Sequence, residues 1–191
     1  MTSTNFYKQY FMLIKQITQF VKKRDYEIVL IINPLLLHIA KQIFPSQYTL
    51  LPTLAQEEYQ KMLAISSALF APLGINTYYE SSYYNIPTFI LPEQHLGHIK
   101  SIQRYFPSLK SIKKQSFCLI HPFPELLKCL EVSEKEYIIY LEEKITQLKE
   151  SFLEISHISE FLQNGKNLFT KYHYDKQISQ HIEKIITHIL S

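Results

Sequence analysis

Gly74, Asn76, Thr77 and Glu80 fall within the short stretch Gly-Ile-Asn-Thr-Tyr-Tyr-Glu, and their types suit one chemistry. They could hold a phosphorylated ligand that also carries hydroxyl groups. Gly74 has no Cβ, so its backbone can approach a ligand closely. A helix starting at Asn76 or Thr77 presents unpaired N–H groups and a positive dipole end, both suited to phosphate. The Glu80 carboxylate offers several acceptor sites for paired hydroxyls such as those of a ribose. The same residues also fit a structural motif. Thr77-Tyr78-Tyr79-Glu80 matches the S/T-x-x-E capping box, in which the two side chains satisfy each other's backbone N–H groups. Both readings claim the same carboxylate.

The elements around this stretch must place it. Residues 67–72 form an apolar run that predicts a strand, and residues 76–85 predict a helix. Upstream, Phe6, Tyr10, Leu13, Ile14, Ile17, Phe20 and Val21 recur at helical spacing over 5–23. The β-branched run 27–32, closed by Asn33-Pro34, predicts a strand buried on both faces. A helix over 34–43, a strand over 48–51 and a helix over 54–65 follow, the last capped by Thr53 with Glu57 and Glu58 in its first turns. Downstream come a strand over 88–91, a helix over 95–105 and a strand over 116–120 that ends at His121-Pro122. Strands alternating with helices predict right-handed βαβ units and one parallel, Rossmann-like sheet. Past residue 123 the apolar spacing becomes helical, with further helices over 158–164 and 175–190. The expectation is a single α/β domain over 1–191, with a sheet-and-helix core (1–123) and a helical tail (124–191). In such sheets, ligands bind where a strand hands over to a helix at the carboxyl ends.

The longer pattern adds a family resemblance. A small residue, Pro72, Gly74, Thr77 and Glu80 on a helix, then Asn85-Ile86-Pro87, then an apolar strand ending in Pro92 and Gln94 resembles the donor-binding C-terminal half of GT-B glycosyltransferases of the MurG-like kind. A similar segment occurs in the sugar-nucleotide hydrolases of pseudaminic-acid synthesis. The likeness covers residues 68–98. It implies that Glu80 meets the ribose, that Gly74 and Thr77 face the diphosphate, and that Gln94 reaches the donor sugar. His95 would touch phosphate or sugar, or cap the end of the strand. The chain departs from the family at three points. It opens on a helix where the family has a strand and a Gly-rich loop, it carries Asn85 where Gly is usual, and it has no acceptor domain. Asn tolerates a left-handed backbone better than most residues, so the second departure is mild. The resemblance therefore implies a UDP-sugar-like nucleotide-sugar-binding domain that needs an acceptor-domain partner chain, or a homo-oligomer, to transfer sugar. The alternative is a non-catalytic interaction or oligomerisation protein that kept the fold and lost the ligand.

Composition narrows the classes further. Of 191 residues, 46% are hydrophobic and 19% charged, which is globular rather than disordered. The net charge of +3 comes from scattered basic residues with no stripe, so no nucleic-acid partner is expected. Cys118 and Cys129 lack metal-ligand spacing and read as reduced thiols of a cytoplasmic protein. No run approaches a membrane span, and the N-terminus has no signal-peptide pattern. His95 and His98 lie at i, i+3 without a third ligand, so neither a metal nor another cofactor is expected. Tyr78, Tyr79, Tyr83 and Tyr84 circle their helix and read mainly as packing. Glu134-Lys135-Glu136 reads as a solvated helix face, and His173 and Asp175 as surface polar residues. No Ser/His/Asp or Cys/His signature marks a catalytic base.

Overall fold

The computed structural model describes residues 4–22, 26–72, 74–105, 132–151 and 162. The strand expected at 116–120, the helices expected at 158–164 and 175–190, and both cysteines lie outside these residues. The described elements are α1 (Thr4–Lys22), β1 (Val29–Ile32), α2 (Leu37–Ile43), β2 (Thr49–Pro52), α3 (Gln56–Ile65), β3 (Leu69–Pro72), α4 (Ile75–Tyr83), β4 (Thr88–Leu91), α5 (Leu96–Tyr105) and α6 (Glu134–Ser151).

Helix α1 buries Phe6, Tyr10, Leu13, Ile17 and Val21, spaced three or four residues apart as an amphipathic helix requires. Strand β1 ends where the Asn33 side chain accepts from Leu35 N at 3.0 Å. That bond starts a 3₁₀ turn at Pro34–Leu36 that leads into α2. Strand β1 pairs with β2 in parallel, Val29 opposite Thr49 through Ile32 opposite Pro52. Strand β3 pairs with β4 in the same sense, Leu69 opposite Thr88 through Pro72 opposite Leu91. Pro52 and Pro72 close their strands because proline carries no N–H to extend a ladder.

The chain is thus mixed α/β with parallel pairing, and among the described residues the strands do not join into one continuous sheet. The strands make two two-stranded sheets, β1–β2 and β3–β4. The burial of β1 reflects the split. Val29 and Leu30 are half-buried and Ile31 is 38% exposed, whereas all four residues of β4 are buried. An apolar run signals burial but does not name its hydrogen-bonding neighbour, so the expected two-sided burial of β1 holds only at Ile32.

Helix α1 joins the two pairs by packing rather than by a ladder. On one side, Phe6, Tyr10, Leu13, Ile17 and Val21 meet Phe89, Ile90 and Leu91 of β4, Ile99 of α5, and Tyr137, Leu141 and Ile145 of α6. On the other side, Phe11 meets Ile32, Ile39, Ala40, Phe44 and Tyr48. Phe11, Phe44 and Tyr48 stack edge-to-face, with centroids 6.1 and 5.5 Å apart. Edge-to-face contact is the favoured aromatic geometry and fixes how α2 sits on α1.

Two helix starts differ from expectation. Helix α3 is preceded by Ala55 with no side-chain cap, not by Thr53. Ala55 is still extended, so the chain turns helical three residues beyond Thr53, out of that hydroxyl's reach. Helix α6 starts on a capping box that the sequence reading passed over. Ser133 Oγ and N lie 2.6 and 2.9 Å from Glu136 Oε2, and Glu136 N donates back to Ser133 Oγ at 3.3 Å. The hydroxyl and backbone N–H of Ser133 hold the Glu136 carboxyl below its usual range.

Candidate functional site

A cavity of about 490 Å³ lies along the seam between β1 and β3, over their C-terminal ends. A second, of about 520 Å³, flanks the same seam and is also lined by Val29, Leu30, Leu69 and Phe70. The first cavity holds the candidate chemistry. Its walls are mainly apolar, from α1, β1 and β3, with polar groups supplied by Gln56 and Tyr59 of α3, Asn76 and Glu80 of α4, and Gln94 beyond β4. Glu80 is the one charged side chain among these described lining residues.

Helix α4 begins at Ile75, with Gly74 as its N-cap in an extended conformation (φ −105°, ψ 171°). Thr77 is therefore the third helical residue, not the cap, and Glu80 lies in the second turn. The stretch Thr77 to Glu80 thus lies inside the helix and not at its start. Glu80 Oε1 instead accepts from Gln56 Nε2 at 2.9 Å, which bridges α3 and α4. Beside it, burial pushes the Tyr59 phenol up, and the Glu80 carboxylate adds to the effect.

The C-terminus of α4 is closed by Asn85, at φ 53° the one positive-φ non-glycine residue among those described. Asn85 N donates to Ser82 O at 3.2 Å and Ile86 N to Ser81 O at 3.0 Å. These are the two bonds of a Schellman motif, with Asn in the place usually taken by Gly. Ile86 is buried behind it, and Leu69 N bonds Pro87 O at 2.9 Å, so the turn delivers the chain directly into β4.

At the end of β4, the Tyr10 hydroxyl donates to Pro92 O at 2.9 Å in a buried contact across 82 residues of sequence. Burial raises the Tyr10 pKa well above the ordinary phenol range. A hydrogen bond from the Gln94 side chain opposes this, and the buried Glu93 carboxylate reinforces it. Helix α1 thereby anchors the segment that carries Gln94.

His95 and His98 form a cap. His95 Nδ1 accepts from Gly97 N at 3.1 Å, and His98 Nδ1 accepts from Gln94 N at 3.1 Å. The pattern is like a capping box, with imidazoles in place of hydroxyl and carboxylate. The N–H groups it satisfies, however, are those of Gly97 and Gln94 and not those of the N-cap and N3 residues. The rings are 3.8 Å apart, centroid to centroid. A Cβ on Gly97 would come within 2.9 Å of His95 Nδ1, so this close approach needs glycine. Each bond requires an unprotonated Nδ1. Burial lowers the pKa of both rings, and His98 falls to about 3 with His95 as the second cause. Among the described residues, no group of three or more His, Cys, Asp and Glu side chains comes together to hold a metal ion.

The structure thus gathers Asn76, Glu80 and Gln94 at one cavity. Gly74 sits at the α4 start but outside the lining, the Thr77 side chain lies outside the described set, and His95 is committed to the helix cap. Gln56, Tyr59 and Tyr10 were not singled out from sequence. A signal for Gln56 was available, since Pro52 ends β2 as Pro72 ends β3, and each is followed by a strand-to-helix handover. Among the described residues, no helix is long and apolar enough to cross a membrane. No family model, curated protein or solved structure matches the chain.

Proposed function

We propose that the chain is a nucleotide-sugar-binding domain of GT-B type, which needs a second domain or subunit to bind acceptor and transfer sugar. The observation that carries this reading is the meeting of Asn76, Glu80 and Gln94 at one cavity. Asn76 and Glu80 come from α4, and Gln94 from the segment beyond β4. In this reading the two parallel pairs are halves of a Rossmann-like sheet in the order β2-β1-β3-β4, with β1 and β3 as neighbours. The cavity then falls where the strand order reverses, the usual ligand position in doubly wound sheets. The start of α4 would face the diphosphate, and its N–H groups would stabilise charge on the departing nucleotide. Glu80 would accept from the ribose hydroxyls, and Gln94 would lie nearer the sugar. The protein would act in the cytoplasm, where nucleoside-diphosphate sugars are available.

A specific observation favours a second reading. Among the described lining residues, no ionisable partner in the carboxylate or histidine range faces Glu80, so the cavity offers no acid–base pair. A non-catalytic interaction or oligomerisation protein that kept the fold and lost the ligand accords with that. Calorimetric titration of the full chain with UDP and UDP-sugars, together with a turnover assay, separates the two. Binding with slow or no turnover supports a domain awaiting its partner. Failure to bind at millimolar ligand removes the nucleotide reading and leaves the interaction protein.

A further inference from the structure

Glu80 does not stand alone in the cavity. Its Oε1 is occupied by Gln56 Nε2 at 2.9 Å, and the two side chains come from different helices. The bond uses one of the two amide hydrogens of Gln56. The second hydrogen and the Gln56 carbonyl oxygen are engaged by no other described group, and neither is Glu80 Oε2. The pair therefore offers a fixed row along one wall: an acceptor on Glu80, a donor on Gln56 and an acceptor on Gln56. A vicinal diol presents the complementary set, because each hydroxyl can donate and accept. The Tyr59 phenol stands beside the same carboxylate. The rest of the lining is largely apolar and, among the described residues, carries no basic side chain. This stretch of wall is thus matched to a sugar ring with adjacent hydroxyls, which leaves the start of α4, at Asn76, for the phosphates.

We propose that Gln56 is a specificity-determining residue, which with Glu80 reads the cis-diol of a ribose and so separates ribonucleotides from 2′-deoxyribonucleotides. This inference rests on the nucleotide reading above and deepens it. Gln56 acts in two ways: it holds Oε1 so that the carboxylate keeps one orientation, and it supplies its own amide to the second hydroxyl. The pair is exposed, so a ligand lacking the 2′-hydroxyl leaves part of this row to water and forgoes one hydrogen bond to a charged group.

The test is a set of calorimetric titrations of the full chain with the common ribonucleoside diphosphates and their 2′-deoxy counterparts. They are run on the unaltered protein, Gln56→Ala and Gln56→Glu. Gln56 is exposed at the first position of α3, so alanine suits the helix there. The unaltered protein is expected to prefer the ribo form by at least about tenfold, the size of one hydrogen bond to a charged group. Gln56→Ala should cut that preference to about threefold or less, mainly by weakening the ribo form. Gln56→Glu should weaken it further, since two carboxylates would then face each other. Equal loss for ribo and deoxy forms would make Gln56 merely structural and overturn the inference while nucleotide binding stands. An unchanged preference in Gln56→Ala would overturn it equally. No binding of any nucleotide would remove the underlying reading and this inference with it.

Discussion

Gln56 Nε2 donates to Glu80 Oε1 at 2.9 Å, linking the first turn of α3 to the second turn of α4. That bond decides between two uses of one carboxylate. A Glu80 folded back on Thr77 would be helix punctuation. A Glu80 reaching across to α3 is a wall of the cavity, and its partner comes from the other parallel strand pair. The two handovers, β2 to α3 and β3 to α4, are thereby joined at the seam that no ladder closes.

Asn85 is the joint between α4 and β4, and its left-handed backbone can be tested by substitution. Asn85→Gly is expected to leave stability within a few tenths of a kcal/mol or to raise it slightly, since glycine adopts φ 53° without strain. Asn85→Val should cost about 1–2 kcal/mol, the penalty of a left-handed residue with a branched Cβ. Urea unfolding of the variants measures both. Equal midpoints for valine and glycine would show that the turn does not hold this conformation.

Gly97 gives a second, independent check on local geometry. Alanine there would press on His95 Nδ1 and displace the ring that caps α5. The loss of such a cap costs about 1 kcal/mol, visible as a lower thermal midpoint. In a His95→Asn background, where the smaller cap leaves room, the same alanine should cost little. If Gly97→Ala is equally harmful in both backgrounds, the His95 contact is not the cause.

The His98 cap sets a pH dependence. An unfolded imidazole has a pKa near 6.5, whereas burial holds folded His98 at about 3. Between these values the unfolded chain binds a proton that the folded chain does not, so stability rises with pH across that window. It is fully present above about 6.5 and is lost progressively as the pH falls toward 3. His98→Gln keeps an acceptor for Gln94 N and removes the titration. Denaturant unfolding between pH 7.5 and 4.5 should therefore fall less steeply for the variant. Parallel curves would mean that His98 is protonated in the folded chain.

Much of this architecture is legible in the residues. The alternating elements through residue 105 follow apolar spacing, and the left-handed turn follows from Asn before Ile-Pro. The split between β1 and β3 is not legible, because a run such as Val29–Ile32 promises burial and says nothing of which strand lies beside it. The capping boxes make the same point locally. Thr77-x-x-Glu80 and Ser133-x-x-Glu136 fit one pattern, yet only the second stands at the start of its helix. At 74–80, Gly74, Asn76 and Thr77 are all acceptable N-caps, and the helix begins at the first of them. The box then falls inside the helix, and Glu80 is free to meet a residue 24 positions upstream. That partner is long-range, so no local spacing could name it. The imidazole cap at His95 and His98 was hidden for another reason: its acceptors are nitrogens, outside the usual capping residues.

The central claim is that Glu80 belongs to a nucleotide site. The most direct measurement is the UDP-sugar affinity of the full chain against that of Glu80→Ala, with the fold of each checked by circular dichroism. Glu80 sits on a half-exposed helix face, so alanine should leave the fold intact. The account predicts measurable binding by the unaltered chain and a loss of at least about tenfold in the variant, the size of one charge-assisted hydrogen bond. Equal affinity in both proteins, or no binding in either, would contradict it.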